Sequence, residues 1–345
     1  MPQLEIYDAD TIPVEYVPKE SASPNMAERI VTVNGLERNW ERMLAEQWPG
    51  EILWEYRLSK LTTFRIGGPA RAVVLPATEE ELKHIIVFLH TYKVDWVVMG
   101  RGSNVLVADR GFGGVAVVLG NKFSAINIVS ESENGIAVRV AAGCSLARLV
   151  AWCVDRAIVG FEFAAGIPGS VGGAVVMNAG AWGHEIGELV AAVHLLSPEG
   201  ELVVRERREL DFSYRALGRM DADIVVAATF LLKRGERDAI EADIRRINRQ
   251  RRELQPQGVA SAGSFFKNPP GQAAGFLIER AGLRGCRMGG AMVSCQHANF
   301  IVNTGSATAG DVLGLMRLVQ ERVFQDSGVR LEPEVRIVGH DVEGS

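Results

Sequence analysis

Stretches with apolar residues at helical spacing alternate with short apolar segments along most of the chain. The first 28 residues lack any such period and mix acidic residues with Pro and Ser, which predicts an extended or disordered arm. From Leu36 to Trp48 apolar residues recur at helical spacing, and Pro49-Gly50 follows. We therefore expect a helix that ends near Trp48, and we take residues 1–50 as an N-terminal arm and helix.

Residues 58–141 consist mainly of short apolar segments separated by turns, a pattern that predicts strands. The predicted strands are 72–75, 94–99, 114–119, 125–128 and 136–141, with another beginning at Val105. Thr78 and Glu81 have the spacing of a capping box, which predicts a helix to about Tyr92. Ser145 is the expected cap of a second helix, whose apolar face comprises Leu146, Leu149, Val150, Cys153 and Val154.

The later part of the chain is richer in helical patterns. A hairpin is predicted around Pro198-Glu199-Gly200, then a strand at 224–232 and a highly charged amphipathic helix. The remaining predicted elements are helices at 273–281 and 307–324 and strands at 300–303 and 331–338. The change in composition near Gly235 predicts a hinge there. We therefore expect an α+β protein with a larger domain at 51–235 and a smaller one at 236–345.

One stretch differs from all others: residues 163–183 contain six glycines and no charged side chain. Its length suits a membrane span, but so many glycines would leave a lipid-facing helix poorly packed. Glycine lets successive backbone N–H groups approach a ligand closely, so we interpret the stretch as backbone that contacts a flat or anionic group. A glycine-rich turn buried between two core strands is the structural alternative.

A second glycine-rich turn, Gly-Arg-Gly-Ser-Asn at 100–104, follows a predicted buried strand. Another strand follows it rather than a helix, so it is not the dinucleotide-binding turn of a Rossmann fold. Either turn alone is ordinarily just a turn. If the fold brings the two together, their amides can hold a diphosphate, and the apolar strands around them can enclose a planar ring.

Composition narrows the classes of function. The net charge of −5 gives no reason to expect nucleic acid or an anionic membrane as a partner. Four cysteines and six histidines show no metal-ligand spacing, so we predict no metal and reduced thiols. The acidic N-terminus lacks the pattern of a signal peptide, and we expect a cytoplasmic protein.

Three polar residues have both a structural and a chemical interpretation. Ser264 can cap a helix or donate a proton. Arg215 can lie on the surface or hold a carboxylate with two hydrogen bonds. If Val335 and Ile337 point into the core of a terminal strand, Glu334 faces solvent or a cleft.

Six segments in order resemble one family: TTFRIGGPA (62–70), GRGSNVLVAD (100–109), GIPGSVGGAVVMNAGAWGHE (166–185), FSYR (212–215), SAGSFFKNP (261–269) and LEPEVRIVG (331–339). Together they are similar to the UDP-N-acetylenolpyruvoylglucosamine reductases, also called UDP-N-acetylmuramate dehydrogenases. The resemblance spans roughly residues 55–340. It implies an FAD domain of the vanillyl-alcohol-oxidase (PCMH) type and a smaller α+β domain that closes over a UDP-sugar.

The resemblance also implies the reaction. NADPH reduces a non-covalently bound FAD, and flavin N5 delivers hydride to the vinyl carbon of UDP-N-acetylglucosamine enolpyruvate. The product, UDP-N-acetylmuramate, is a precursor of peptidoglycan.

Site residues follow from the same matching motifs. Ser264 matches the proton donor, and Arg215 and Glu334 match the groups that stabilise the enolate intermediate. Expected FAD-binding residues are Gly100, Arg101, Gly102, Ser103, Asn104, Ala165, Gly166, Ile167, Gly169, Gly172, Gly173, Asn178, Ala179 and Gly180. Expected substrate-binding residues are Tyr214, Lys267 and Asn268.

Three departures from the family pattern affect the substrate side. The predicted strand at 224–232 leads directly into a helix, which is typical of the branch without an inserted substrate-clamping loop. Trp182 stands where Tyr is common, and Ala260 stands where Pro is common. The substrate clamp must therefore come from elsewhere in the chain.

Overall fold

The computed structural model describes residues 31–33, 36–38, 40–218 and 222–339. Its helices are α1 (Trp40–Gln47), α2 (Glu79–Thr91), α3 (Leu146–Asp155), α4 (Val171–Val176), α5 (Arg237–Leu254), α6 (Ala274–Arg280) and α7 (Ala309–Ser327). None of the helices in these ranges is long and apolar enough to cross a membrane.

The strands of the first half are β1 (Val31–Val33), β2 (Leu36–Arg38), β3 (Ile52–Arg57), β4 (Pro69–Val74), β5 (Trp96–Met99), β6 (Val105–Val107), β7 (Phe112–Val118), β8 (Ile126–Ser132), β9 (Gly135–Ala141) and β10 (Ile158–Val159). Those of the second half are β11 (Gly180–Ala181), β12 (His184–Glu185), β13 (Val190–Leu196), β14 (Leu202–Glu206), β15 (Asp211–Ser213), β16 (Ala216–Gly218), β17 (Ile224–Arg234), β18 (Ala260–Ser264), β19 (Arg287–Met288), β20 (Ala291–Val293), β21 (Phe300–Asn303) and β22 (Arg336–Val338).

A four-stranded sheet in the order β3-β4-β7-β5 opens the larger domain. Strands β4 and β5 run parallel to β7, and β3 is antiparallel to β4. Its middle strands are buried on both faces, because Val73 and Ala116 belong to one apolar cluster and Val74 and Val117 to another. Such strands are the continuous apolar segments that the sequence pattern predicts.

An antiparallel sheet in the order β14-β13-β17-β9-β8, with β10 also paired to β17, forms the second layer. Its buried side chains share one apolar core with α2, α3 and one face of the first sheet. Helix α2 begins where predicted, because Thr78 Oγ1 accepts a hydrogen bond of 3.1 Å from Glu81 N. Ser145 caps α3 in the same way through Arg148 N.

The smaller domain has its own antiparallel sheet, β18-β21-β20-β19, covered by α6 and α7. Its core also takes Phe64, Ile66 and Leu106 from the first part of the chain. After α7 the chain returns to the larger domain, where β22 pairs in parallel with β6. The two domains are therefore joined at both ends of the second one.

Two sequence predictions about the chain ends are wrong. Leu36 is not helical: it lies in β2, which pairs with β1, and α1 begins only at Trp40. The predicted strand at 331–338 is reduced to β22, because the segment before it makes only an isolated bridge between Phe266 and Pro333. Proline has no N–H to extend that pairing. The predicted arm at 1–28 lies outside the described residues.

The shortened terminal strand also changes the orientation of its side chains. Val335 is buried as predicted, but Ile337 is 43% exposed and Val338 is buried in its place. The alternation expected for a strand from residue 331 therefore does not hold. Glu334 nevertheless does not face solvent, because its side chain lies against Arg215 and is only 13% exposed.

Candidate active site

The two glycine-rich turns meet in the folded chain. A Cβ on Gly100 would clash with Ser170 Oγ, and a Cβ on Gly169 would lie 3.4 Å from Ser103 Oγ. The turn at 100–104 therefore lies against the start of α4. This juxtaposition is the condition under which the sequence predicts a diphosphate-binding site.

The glycines of these turns fall into two groups. Gly100, Gly102 and Gly172 are packing positions, since a Cβ there would meet Ser170, Leu61 O or Ala142 at distances no side chain can take. Gly169 and Gly173 are uncrowded: a Cβ on Gly173 would meet only Ser170 Oγ, at 3.5 Å. The first group lets the turns pack closely on each other and on neighbouring segments, and the second leaves room for a ligand at the backbone.

Ser170 connects the parts of this turn. Its side chain caps α4 by accepting a hydrogen bond from Gly173 N, and the backbone on either side bonds to the loop before α3. Val171 N donates to Cys144 O and Leu146 N donates to Gly169 O, at 2.8 and 3.0 Å. The glycine-rich backbone is thus held in place by the second layer of the domain.

The other residues predicted at the flavin site line the same region. Ala165 is buried, Ile167 packs against the main core, and Arg101 is half-buried. Asn104 Nδ2 donates to Glu334 O at 2.9 Å, and Asn104 O accepts from Arg336 N at 3.0 Å. The first turn is therefore fastened to the segment that carries Glu334.

Asn178 has a structural role. Its Nδ2 donates to Glu185 Oε2 at 2.6 Å and to Ser213 O at 3.0 Å, and its Oδ1 accepts from Gly187 N at 2.9 Å. The buried side chain is thus engaged within the protein and fixes the segment Asn178–Gly180 beside the turn before Arg215. Ala179 packs against the main core, and Gly180 O accepts a hydrogen bond of 3.3 Å from Arg215 Nη2.

Arg215 and Glu334 form a close ion pair. Arg215 Nε lies 3.1 Å from Glu334 Oε1, and their side chains are only 19% and 13% exposed. The Nε–H makes no well-directed hydrogen bond within the described residues, so the pair is held by charge more than by hydrogen-bond geometry. Arg215 sits at a left-handed backbone position, φ 58°, between β15 and β16. Such strain in a non-glycine residue is characteristic of functional sites.

Burial dominates the titration of Glu334. It raises the pKa of this carboxyl above its ordinary value, and the positive charges of Arg215 and Lys267 oppose only part of the rise. The site therefore holds a carboxyl group that gains a proton more readily than an exposed glutamate.

Ser264 ends β18, one residue before the segment that bonds to Glu334. The next residue, Phe265, accepts a hydrogen bond of 2.8 Å at its carbonyl from Glu334 N. Asn299 holds the same segment: Phe265 N donates to its backbone O at 2.7 Å, and Phe266 N donates to its Oδ1 at 3.0 Å. The three residues predicted to be catalytic therefore belong to adjoining segments.

The three predicted substrate residues lie on the rim of the smaller domain. Tyr214 is 45% exposed, and its hydroxyl accepts a hydrogen bond of 3.2 Å from Asn268 N. Asn268 Oδ1 accepts from Ala274 N at the start of α6, and Lys267 Nζ lies 3.6 Å from Glu332. Tyr214 thus connects the turn that carries Arg215 to the segment that follows Ser264.

Three buried or bonded side chains near these segments have no signal in the sequence. Asn299 and Asp109 act through backbone amides distant in sequence, which no local pattern reveals. Arg251 belongs to a charged helix whose composition indicates a solvated face, yet its side chain packs against Gly166. No group of three or more metal-ligating side chains occurs among the residues described.

Two family models match the chain. A model described as "FAD binding domain" matches residues 70–205, and one described as "UDP-N-acetylenolpyruvoylglucosamine reductase, C-terminal domain" matches residues 255–338. The structure fits the cofactor, because the uncrowded backbone at Gly169 and Gly173 is a cradle that side chains would fill. The turn at 100–104 contains no His or Cys through which a flavin could be attached covalently.

Relatives match along nearly their full length. The UDP-N-acetylenolpyruvoylglucosamine reductase of Syntrophus aciditrophicus is 43% identical over 292 residues, 85% of this chain and 93% of the relative. That of Lachnoclostridium phytofermentans is 43% identical over 83% of this chain and 92% of its own. The crystal structure of the Thermus caldophilus enzyme covers 84% of this chain and 98% of its own, with 37% identity and a TM-score of 0.72. The chain therefore belongs to the UDP-N-acetylenolpyruvoylglucosamine reductase family and is an FAD-dependent oxidoreductase.

Proposed function

We propose that this reductase converts UDP-N-acetylglucosamine enolpyruvate to UDP-N-acetylmuramate with NADPH as the electron donor, through Arg215, Ser264 and Glu334. The main support is the largely buried Arg215–Glu334 pair. The backbone of Glu334 is bonded to Phe265, the residue after Ser264, and to Asn104 of the first glycine-rich turn. Residues 51–235 would bind FAD, and residues 236–345 would close over the UDP-sugar.

Arg215 would bind the carboxylate of the enolpyruvyl group. Bound FAD, once reduced, supplies hydride to the terminal vinyl carbon, and negative charge then builds on the neighbouring carbon and its carboxylate. A guanidinium already fixed at that point stabilises the charge as it develops, with no reorganisation during the reaction. Its contacts with Gly180 O and Glu334 keep Arg215 in place.

Glu334 would change partner when substrate binds. In the ligand-free protein its carboxylate balances the charge of Arg215. A substrate carboxylate would compete for the same guanidinium, and the displaced Glu334 would lose the interaction that favours its ionised form. Because burial already raises its pKa, it would take up a proton and donate a hydrogen bond to the enolate.

Ser264 would complete the reaction by protonating the carbon that bears the ether oxygen. A serine hydroxyl is a weak acid, so it can serve only because an enolate is a strong base. Its place at the end of β18, one residue before the backbone bond between Phe265 and Glu334, supports this role. Tyr214, Lys267 and Asn268 would contact the rest of the UDP-sugar.

Visible spectroscopy without oxygen tests the proposal on the purified protein. We expect a yellow protein whose flavin absorbance bleaches on addition of NADPH and returns on addition of UDP-N-acetylglucosamine enolpyruvate. A flavin that is reoxidised only by oxygen would indicate an oxidase instead. A colourless protein that cannot take up FAD but binds the UDP-sugar would indicate a binding protein and contradict the proposal.

A further inference from the structure

Arg251, near the end of α5, carries a buried guanidinium edge without a partner. Its Nε and Nη2 are shielded from solvent and make no hydrogen bond within the described residues, while Nη1 donates to Gln255 Oε1 at 3.3 Å. Among the residues that the structure describes, no ion pair includes Arg251. Nε and Nη2 together form the edge of the guanidinium that binds carboxylates and phosphates with two parallel hydrogen bonds.

Such an arrangement is unfavourable in the protein alone. Burial lowers the pKa of Arg251, because the charged form loses hydration that no neighbouring carboxylate replaces. A buried charge without a counter-charge destabilises the folded state. The missing acceptors are therefore best supplied by a ligand.

The surroundings of Arg251 leave room for one anionic group. A cavity of about 180 Å³ is lined by Gly166, Asn248, Arg251, Arg252, Gln255 and Gln257. Sites for whole drug-sized ligands occupy roughly 300–1,000 Å³, so this cavity suits part of a ligand. Gly166 has φ 75°, and a Cβ there would approach Arg251 Cδ to 2.9 Å, so only glycine lets α5 pack this closely. The ring of Trp182 lies 5.8 Å from the guanidinium carbon and supplies no hydrogen-bond acceptor for Nε or Nη2.

We propose that Arg251 binds an oxyanion of a diphosphate through its free Nε–Nη2 edge, as a further binding residue of the flavin–substrate site. Gly166 places this edge at the glycine-rich stretch that the FAD-binding model covers. The diphosphate comes either from FAD or from the UDP-sugar. Assignment of the diphosphate to the UDP-sugar rests on the proposed function. Assignment to FAD rests only on membership of the family.

Three full-length variants test the proposal: Arg251→Met, Arg251→Lys and, as a control, Arg249→Met. The control removes the same charge from an exposed position of the same helix. We would measure the Kd of FAD for the flavin-free protein by fluorescence quenching, the Kd of UDP-N-acetylglucosamine for the holoenzyme by calorimetry, and the melting temperature of the flavin-free protein.

We expect Arg251→Met to weaken one of the two ligands about tenfold or more, because charge-assisted hydrogen bonds are lost. The melting temperature of the flavin-free protein should stay the same or rise, since an uncompensated charge is removed. Weaker FAD binding would identify the cofactor diphosphate, and weaker binding of the UDP-sugar would identify the substrate diphosphate. Arg249→Met should change none of these quantities.

Both Kd values within threefold of wild type, or a lower melting temperature with unchanged binding, would overturn the proposal. If Arg251→Met does not fold, Arg251→Lys decides: it keeps the charge and must still weaken the same ligand, because an ammonium cannot form the two-pronged contact. All of these measurements are made without NADPH and without turnover. A wild-type flavin that the enolpyruvyl substrate cannot reoxidise would therefore contradict the proposed reaction and leave this result standing.

Discussion

Glu334 is the residue whose chemistry depends most on the fold. An exposed glutamate at its place would be ionised and would repel an enolate, whereas burial favours the neutral form. Because the pKa of folded Glu334 lies above its unfolded value, its contribution to stability is complete below the unfolded pKa and is lost as pH rises through the folded pKa.

Glu334→Gln should remove this pH dependence. Relative to wild type, the variant should gain in melting temperature as the pH is raised from about 4 to about 7, because glutamine stays neutral where glutamate must ionise. Thermal unfolding in a series of buffers measures the difference. Glu332→Gln, at an exposed position two residues away, is the control, and a Glu334→Gln advantage that shrinks with rising pH would contradict the prediction.

Ser264→Ala should separate the two half-reactions. The flavin should still be reduced by NADPH at the wild-type rate, and its reoxidation by UDP-N-acetylglucosamine enolpyruvate should slow about 100-fold or more, because the positioned proton donor is lost. Stopped-flow absorbance without oxygen resolves both steps. Ser261→Ala on the same strand should behave as wild type, and equal slowing of both steps in Ser264→Ala would remove Ser264 from its role.

At the scale of elements, the site depends on how β5, α4 and the loops between them approach one another. Gly100 at the end of β5 touches the residue that caps α4, whereas Gly173 inside α4 faces free space. Glycines of the two glycine-rich turns therefore perform different tasks. Sequence alone does not distinguish them, because the difference lies in what each absent Cβ would meet.

Gly100→Ala and Gly173→Ala should have opposite effects. The methyl group at residue 100 should lower the free energy of unfolding of the flavin-free protein by about 1–3 kcal/mol through overpacking. At residue 173 it should leave that free energy unchanged or raise it by up to about 1 kcal/mol, since alanine favours helix. FAD titration should nevertheless show weaker binding for Gly173→Ala. If Gly173→Ala binds FAD with wild-type affinity, the cofactor does not reach α4.

Helix α7 receives part of its N-terminal cap from the other domain. Asp109 accepts hydrogen bonds from Ala309 N at 2.8 Å and from Gly310 N at 2.9 Å, while Thr308 and Asp311 form a capping box of their own. Asp109→Ala should lower the free energy of unfolding by about 0.5–2 kcal/mol. Urea unfolding measures the loss, and Thr308→Ala gives the value of the local cap for comparison. No loss in Asp109→Ala would show that water replaces the carboxylate.

Sequence periodicity predicted most elements within a few residues, because their apolar faces repeat locally and their caps are adjacent in sequence. Helix α2, capped by Thr78, and strand β21 are examples. It failed at Leu36 and before β22, where pairing with another segment decides the conformation. The sequence predicted a binding site only if the fold brings the two glycine-rich turns together. It did not indicate that Arg251 is buried, because the contact with Gly166 joins segments that are distant in sequence.

At the scale of the whole molecule, the site is assembled from both domains. The glycine-rich turns and Arg215 come from the larger one, while Ser264 and Glu334 come from segments on either side of α6 and α7. Hydrogen bonds from side chains to backbone oxygens hold these parts in register. Thr63 Oγ1 donates to Ser261 O at 2.7 Å, and Asn104 Nδ2 donates to Glu334 O at 2.9 Å. The relative position of the domains therefore sets the distance between the glycine-rich turns and Ser264.

The parallel pairing of β22 with β6 has a consequence for folding. During synthesis the larger domain is made before residues 336–338. Strand β6 therefore first lacks this neighbouring strand. The second core also forms later, and until then it does not cover Phe64, Ile66 and Leu106. The nascent larger domain therefore carries an open strand edge at β6 until residues 336–338 are made, and an apolar patch until the second core forms.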